Sequence, residues 1–390
     1  MSLPHRHSLA ADTLFDGASA RQDFAVVIEG ERIAAVVPRR ELPNDILVRR
    51  LPDDAWLAPG FIDVQVNGGG DVLFNDEPSP EGIGAIVAAH RRFGTTALLP
   101  TLVTDSSEKM RKARDAVQAM IGRDPSVLGM HFEGPFLSPQ KPGVHDPGMI
   151  RAPGPDDAAL LTSLRDAVTM VTLAPEAVPH GFIRALADSG TRVSLGHSMA
   201  TYEQTRAAMA EGLIGFTHLF NAMRPLASRE GGPIAAALES PDAYYGLIVD
   251  GEHVAPAMLR LALRGAGHPM LVTDAMPPVG GSRSNFSLYG QRIEARDGRC
   301  TRADGTLAGS LLDMASAVRN CVRLLRLSLP EAIRLATEAP ARFLGLGDRL
   351  GRLAPGYRAD MIALEPNGVR VLETWVAGQQ CVGEQIGITA

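Results

Sequence analysis

Short apolar runs alternate with amphipathic helical stretches through the whole middle of this chain. The strand-like runs fall at residues 60–66, 95–100, 126–133, 168–173, 192–197, 215–218, 244–250 and 270–274. Most segments between them hold helical stretches, for instance at 82–93, 106–121, 182–189, 201–211 and 255–264. Eight such strands with intervening helices predict an α/β fold, a (β/α)8 TIM-like barrel. The competitor is an open doubly wound sheet, which needs a phosphate-binding G-x-G-x-x-G turn after its first strand. The first run ends instead in Gln65-Val66-Asn67-Gly68-Gly69-Gly70, glycine-rich but without that spacing. The barrel is the stronger reading.

Both ends of the chain have a different texture. Residues 24–37 (FAVVIEGERIAAVV) read as two short strands around a Glu-Gly turn, with more extended material at 46–51 and 54–57. Residues 360–366 and 371–380 are again strand-like. Either group alone would leave exposed sheet edges. The two ends are therefore expected to pair into one small β-sandwich domain, built from 1–57 and 356–390, beside a barrel spanning 58–355.

Composition excludes several function classes. With 390 residues, 45% of them hydrophobic, the chain can fill a barrel core. A net charge of −6 leaves no basic excess to replace phosphate counterions, which argues against a nucleic-acid partner. No run approaches the roughly 18 apolar residues of a membrane span, and residues 1–9 lack an apolar secretory core. Cys300, Cys321 and Cys381 are too scattered for a disulfide framework or a thiolate metal site. A cytoplasmic protein with no membrane partner is expected.

Candidate metal ligands sit at the ends of the apolar runs. The third ends in His131-Phe132-Glu133, the fifth in Gly196-His197-Ser198, the sixth in Thr217-His218-Leu219 and the eighth in Thr273-Asp274-Ala275. In a barrel these ends converge on one mouth. One histidine at a strand end is usually a hydrogen-bonded structural residue. Three potential ligands and an aspartate at equivalent ends of four strands are harder to explain that way. One carboxylate and two imidazoles suit Zn2+ or Fe2+ and leave positions open for water and substrate. Asp274 is then the natural proton acceptor and donor beside such a metal.

Other side chains carry weaker signals. His145, in the loop Lys141-Pro142-Gly143-Val144-His145, could polarise a carbonyl, against the alternative of a solvated loop histidine. His253 could touch a phosphate or a sugar hydroxyl. Arg229 could clamp a phosphate, although an arginine in a polar loop is usually just solvated. His131 shares the inward face of its strand with Glu133 and is expected to support the site without ligating. His5 and His7 read as a frayed terminus, His90 as helical, and His180 and His268 as turn residues.

The segments PGFIDVQVNGGG (59–70), GMHFEGPFLSPQKPGVH (129–145), SLGHS (194–198), FTHLFNAM (216–223), GLIVDGEHV (246–254) and LVTDAM (271–276) together resemble the N-acetylglucosamine-6-phosphate deacetylases of the amidohydrolase superfamily. LAGS (307–310) and APGYRADMIAL (354–364) extend the resemblance toward the end of the chain. It implies a barrel flanked by a small β domain, a homodimer, and an amino-sugar phosphate as the small-molecule substrate. It implies one divalent metal per subunit, Zn2+ ahead of Fe2+, on Glu133, His197 and His218. Asp274 would be the catalytic base and acid, and His145 would polarise the acetyl carbonyl. Val144, Asn221, Ala222, Leu307, Ala308, Gly309 and Ser310 would line the substrate site. His253 and Arg229 would bind phosphate, with Arg229 reaching the neighbouring subunit.

Many amidohydrolases carry H-x-H after the first strand and a carbamylated lysine on the fourth, holding two metals. Here those positions are Gln65 and Asn67, and VTMVTLAP (168–175) has no lysine, so a mononuclear site is expected. Three other readings compete: a deacetylase of N-acetylgalactosamine 6-phosphate, an N-acyl amino acid hydrolase, and a barrel that only binds. The last would be expected to have lost ligands that this chain retains.

Overall fold

A computed structural model describes residues 5–382; the parts of the expected terminal segments at 1–4 and 383–390 lie outside the described residues. Contacts divide these residues into two compact units, one of 5–62, 90–97 and 314–382, the other of 63–89 and 98–313.

Eight strands form one sheet in which each hydrogen-bonds to the next in chain order. They are β1 (Phe61–Val66), β2 (Thr95–Val103), β3 (Gly129–Glu133), β4 (Val168–Leu173), β5 (Arg192–Leu195), β6 (Gly215–Phe216), β7 (Tyr244–Leu247) and β8 (His268–Leu271). Val66 bridges Ala275 in parallel, and the Asp274 N–H donates to the Gln65 carbonyl at 3.0 Å. The sheet thereby comes round on itself, and the (β/α)8 barrel read from the sequence is the architecture found. Asp63 ties this seam. Its carboxyl accepts from the Thr273 hydroxyl at 2.5 Å and from the backbone N–H groups of Thr273 and Gln65. Burial pushes that carboxyl up to about 7.

The barrel strands are buried almost without interruption, as parallel strands covered on both faces must be. Helices connect them with their own stop and start signals. Ser106 caps Ser107–Met120 by accepting from the Lys109 N–H, and that helix buries Met110, Ala113, Ala116, Val117 and Met120 on one stripe. Thr201 and Gln204 form a reciprocal capping box at the start of Tyr202–Ala210. After β8 comes a four-stranded antiparallel insert, Asn285–Leu288, Gln291–Arg296, Arg299–Thr301 and Leu307–Ser310. No strand was expected in most of it. Its charged runs, such as QRIEAR, present only one buried position in six.

The other unit contains a second eight-stranded sheet. Trp56–Pro59 pairs in parallel with Arg6–Phe15 and antiparallel with Met361–Glu365, so the two β-rich ends of the chain share one sheet. Arg6–Phe15 was not foreseen. Its polar letters suggested a frayed end, yet it pairs along its length with Ala20–Glu29 and buries His7. His268 likewise proves to be the first residue of β8 rather than a turn residue. Leu9, Val26, Leu57, Met361 and Trp375 meet in the core of this unit. Trp375 is fully buried. Trp375→Ala is therefore expected to destabilise the unit by about 3–5 kcal/mol, read by denaturant unfolding. A loss below about 1 kcal/mol would show that the ring contributes little to this core. Among the described residues, no helix is long and apolar enough to cross a membrane.

Candidate active site

Parallel pairing brings the C-terminal ends of the strands to one rim. Glu133 lies opposite Val103 on one side and Thr172 on the other, while Leu195 lies opposite Leu173 and Phe216. The strands expected to reach His197, His218 and Asp274 stop short of them. Their φ values are 47°, 34° and 53°, in the left-handed region, where a strand cannot continue. Such a conformation costs a non-glycine residue about 1–2 kcal/mol, and here it turns each side chain inward from the rim.

Glu133, His197 and His218 are all buried, with their ligand atoms within 4.8 Å of one another. Glu133 Oε1 lies 3.0 Å from His218 Nε2 and 3.3 Å from His197 Nε2, and the two nitrogens are 3.1 Å apart. Ligand atoms at tetrahedral bond lengths around one zinc-sized ion stand roughly 3.4 Å apart. His197 Nδ1 lies 2.9 Å from the Lys141 carbonyl, which can only accept, so its Nε2 is left with a lone pair facing the other two atoms. The donor set fits a divalent cation. Burial opposes ionisation of Glu133, but the two imidazoles hold its carboxyl well below the usual carboxylate range.

Asp274 stands beside this triangle. Burial, reinforced by the Glu133 charge, pushes its carboxyl up to about 6. Two amides, Gln65 on strand β1 and Asn67 just beyond its end, hold it. Asn67 Nδ2 donates to Oδ1 at 2.6 Å, and Gln65 Nε2 spans Asp274 at 3.3 Å and Glu133 at 3.2 Å. Gln65 and Asn67 are thus hydrogen-bond donors to the two carboxylates. His131 does not touch the triangle. It bonds to the hydroxyls of Thr101 and Thr172, and burial lowers its pKa to about 4.

These groups open on a cavity of about 370 Å³, within the size range of small-molecule sites. Glu133, His145, His197, His218, His253 and Asp274 all line it. The His145 ring packs edge-on against His197 at 4.4 Å. Gly143 permits this, because at its φ of +55° a Cβ would come within 3.0 Å of the His197 ring. His253 Nδ1 pairs with Asp250 at 2.6 Å, which leaves its other nitrogen for a ligand.

Val144, Asn221, Ala222, Leu307 and Gly309 also line the cavity, as does Asn67. Ala308 and Ser310 do not. Ala308 packs into the apolar cluster behind the cavity, and the Ser310 hydroxyl donates to the Thr273 carbonyl. Alternation along Leu307–Ser310 sends those two side chains to the other face. Arg229 is exposed in the loop after β6 and is not part of the lining. Sequence reasoning gave no role to Lys141, which brings a positive charge to the lining, nor to Gln140 and Thr306. Lys141 sits in the Gly/Pro-rich loop that carries His145, and that shared loop was the available signal.

The chain is similar to several known proteins. A model of the NagA composite domain matches residues 8–52. The N-acetylgalactosamine-6-phosphate deacetylase of Shewanella sp. is 45% identical over 83% of this chain and 82% of its own length. The N-acetylglucosamine-6-phosphate deacetylase of Haemophilus influenzae is 36% identical over 96% of this chain and 99% of its own. The crystal structure of N-acetylglucosamine-6-phosphate deacetylase from Pasteurella multocida superposes with a TM-score of 0.92 at 34% identity, covering 96% of this chain and 99% of that one. A mutant of the Mycobacterium smegmatis enzyme in complex with N-acetyl-D-glucosamine-6-phosphate gives 0.89 at 34% identity, covering 97% and 100%. The model of the amidohydrolase family runs across residues 56–381, well over half of the sequence, and the chain belongs to that family.

Proposed function

We propose that this chain hydrolyses the acetamide of N-acetylglucosamine 6-phosphate, giving glucosamine 6-phosphate and acetate. The observation that carries the reading is Asp274, a half-buried carboxylate beside an O/N/N donor set in a cavity that His145 also lines. The amino-sugar phosphate follows from what the relatives are named for. Glu133, His197 and His218 would hold the metal; two imidazoles and one carboxylate suit Zn2+ and Fe2+ alike, and Zn2+ stands ahead because N/O sites generally bind it more tightly. A bound divalent cation supplies Lewis acidity, lowering the pKa of water toward about 7 and polarising a carbonyl.

The chain's own residues do the rest. The Asp274 carboxylate takes a proton from the attacking water and delivers it to the leaving amine nitrogen as the C–N bond breaks. His145 donates a hydrogen bond to the acetyl oxygen as negative charge builds there. Lys141 and His253, which both line the cavity, offer hydrogen-bond donors for the phosphate within one chain. The reading includes a cytoplasmic homodimer in which Arg229 of one subunit reaches the other's substrate phosphate.

Arg229→Ala should raise KM for the phosphorylated sugar by about 10–100-fold, the size of a lost charge-assisted hydrogen bond. Its effect on unphosphorylated N-acetylglucosamine should stay within about twofold. Equal losses on both would remove Arg229 from phosphate binding. One second reading has a specific observation behind it: the Shewanella relative at 45% identity is named for the galactosamine epimer. Comparing kcat/KM on the two epimeric 6-phosphates decides between them. Preference for the galactosamine form would replace the substrate and leave the mechanism intact.

A further inference from the structure

We infer that Thr104 is a positioning residue that fixes His145 in the tautomer bearing its proton on Nε2, and that the four-stranded insert holds Thr104 in place. This rests on the reading above, in which His145 donates to the acetyl carbonyl, and says what makes it a donor. Thr104 directly follows β2 and is 1% exposed. Its backbone N–H points at His145 Nδ1 from 3.2 Å, and its hydroxyl lies 2.8 Å from the same nitrogen. A backbone N–H can only donate, so Nδ1 must accept. In a neutral imidazole the single proton then resides on Nε2. An accepting Nδ1 carries no proton, so the ring holds only the one on Nε2 and is neutral. His145 therefore offers the cavity a fixed N–H and no positive charge, preorganised for an oxygen that gains charge during reaction.

Both partners of this hydrogen bond are held from the insert. The Tyr289 hydroxyl, in the turn between Asn285–Leu288 and Gln291–Arg296, donates to the Thr104 carbonyl at 2.5 Å. The Arg302 guanidinium donates to the Val144 carbonyl at 2.6 Å, one residue before His145. Val144 also packs with Leu288, Ile293 and Cys300 of the insert. On the barrel side, a Cβ at Gly134 would lie only 2.1 Å from the Thr104 hydroxyl, so glycine there leaves room for it. The insert supplies no reacting group in this arrangement. It sets the position from which one acts.

Two measurements test this. In 15N-histidine-labelled, zinc-loaded protein, long-range nitrogen–proton correlations report the tautomer, with the His145 signal identified by its loss in His145→Gln. The expected result is protonated Nε2 and bare Nδ1; a proton on Nδ1 overturns the inference. The second compares N-acetyl with N-trifluoroacetyl glucosamine 6-phosphate, whose carbonyl needs less polarisation. Thr104→Val should lower kcat on the acetyl sugar by about 10-fold with KM within about twofold, and should cost less than about threefold on the trifluoroacetyl sugar. Thr104→Ser should restore most of the loss, and Tyr289→Phe should act in the same direction. Equal losses on both sugars would reduce Thr104 to a general structural role and overturn the inference. If the wild-type protein hydrolyses neither sugar, the proposed function fails, and the tautomer spectrum still decides this point.

Discussion

Asp274→Asn is expected to lower kcat by about 10²–10⁴-fold while metal content stays at the wild-type level. The amide matches the carboxylate in shape, and its oxygen can still accept from Asn67, which lies 2.6 Å from Oδ1 in the native site. What it cannot do is take a proton from water and return it to the amine. Metal is retained because Asp274 stands outside the triangle of Glu133, His197 and His218. Steady-state kinetics and elemental analysis of the same preparation check both halves. Near-normal turnover would take Asp274 out of the mechanism.

The second large effect is on the metal. His218→Ala should reduce bound metal to below about one-tenth of the wild-type level and turnover by at least about 10³-fold. His218 Nε2 is the nitrogen nearer to Glu133, at 3.0 Å against 3.3 Å for His197. Its removal leaves a buried carboxylate with one imidazole partner. Metal that binds only the folded protein raises its stability by mass action. Added Zn2+ should therefore raise Tm in the wild type and far less in His218→Ala. A variant that still holds one tight metal per chain would show that His218 is not a ligand.

The barrel was legible because its signal is long-range and repeated. Parallel strands buried on both faces read as apolar runs, and helices between them read by their own period. The active-site rim was legible because parallel pairing must bring strand ends together, so Glu133, His197, His218 and Asp274 could be grouped before any coordinates. What chain position alone could not give was side-chain direction. Ala308 and Ser310 sit in a lining segment, yet alternation points them away from the cavity. Asp63 and Gln65 on β1 and Asn67 just beyond it fall at period two, so their shared face was readable. Their division of labour was not, with Asp63 at the barrel seam and the amides on the two carboxylates. Arg6–Phe15 was missed because its letters carry little strand signal; it is flanked by its hairpin neighbour Ala20–Glu29 on one side and by the more distant Val48–Arg50 and Trp56–Pro59 on the other. The insert was missed because its half-exposed strands carry little hydrophobic signal.

The central claim is that this chain cleaves an acetamide with a metal held by Glu133, His197 and His218. Its most direct test is product analysis on N-acetylglucosamine 6-phosphate with zinc-loaded, stripped and reloaded protein. Acetate and glucosamine 6-phosphate are expected in equal amounts from the loaded protein and none from the stripped protein, with recovery on reloading. Absence of acetate with a fully loaded site, on this sugar and on its galactosamine epimer, would contradict it.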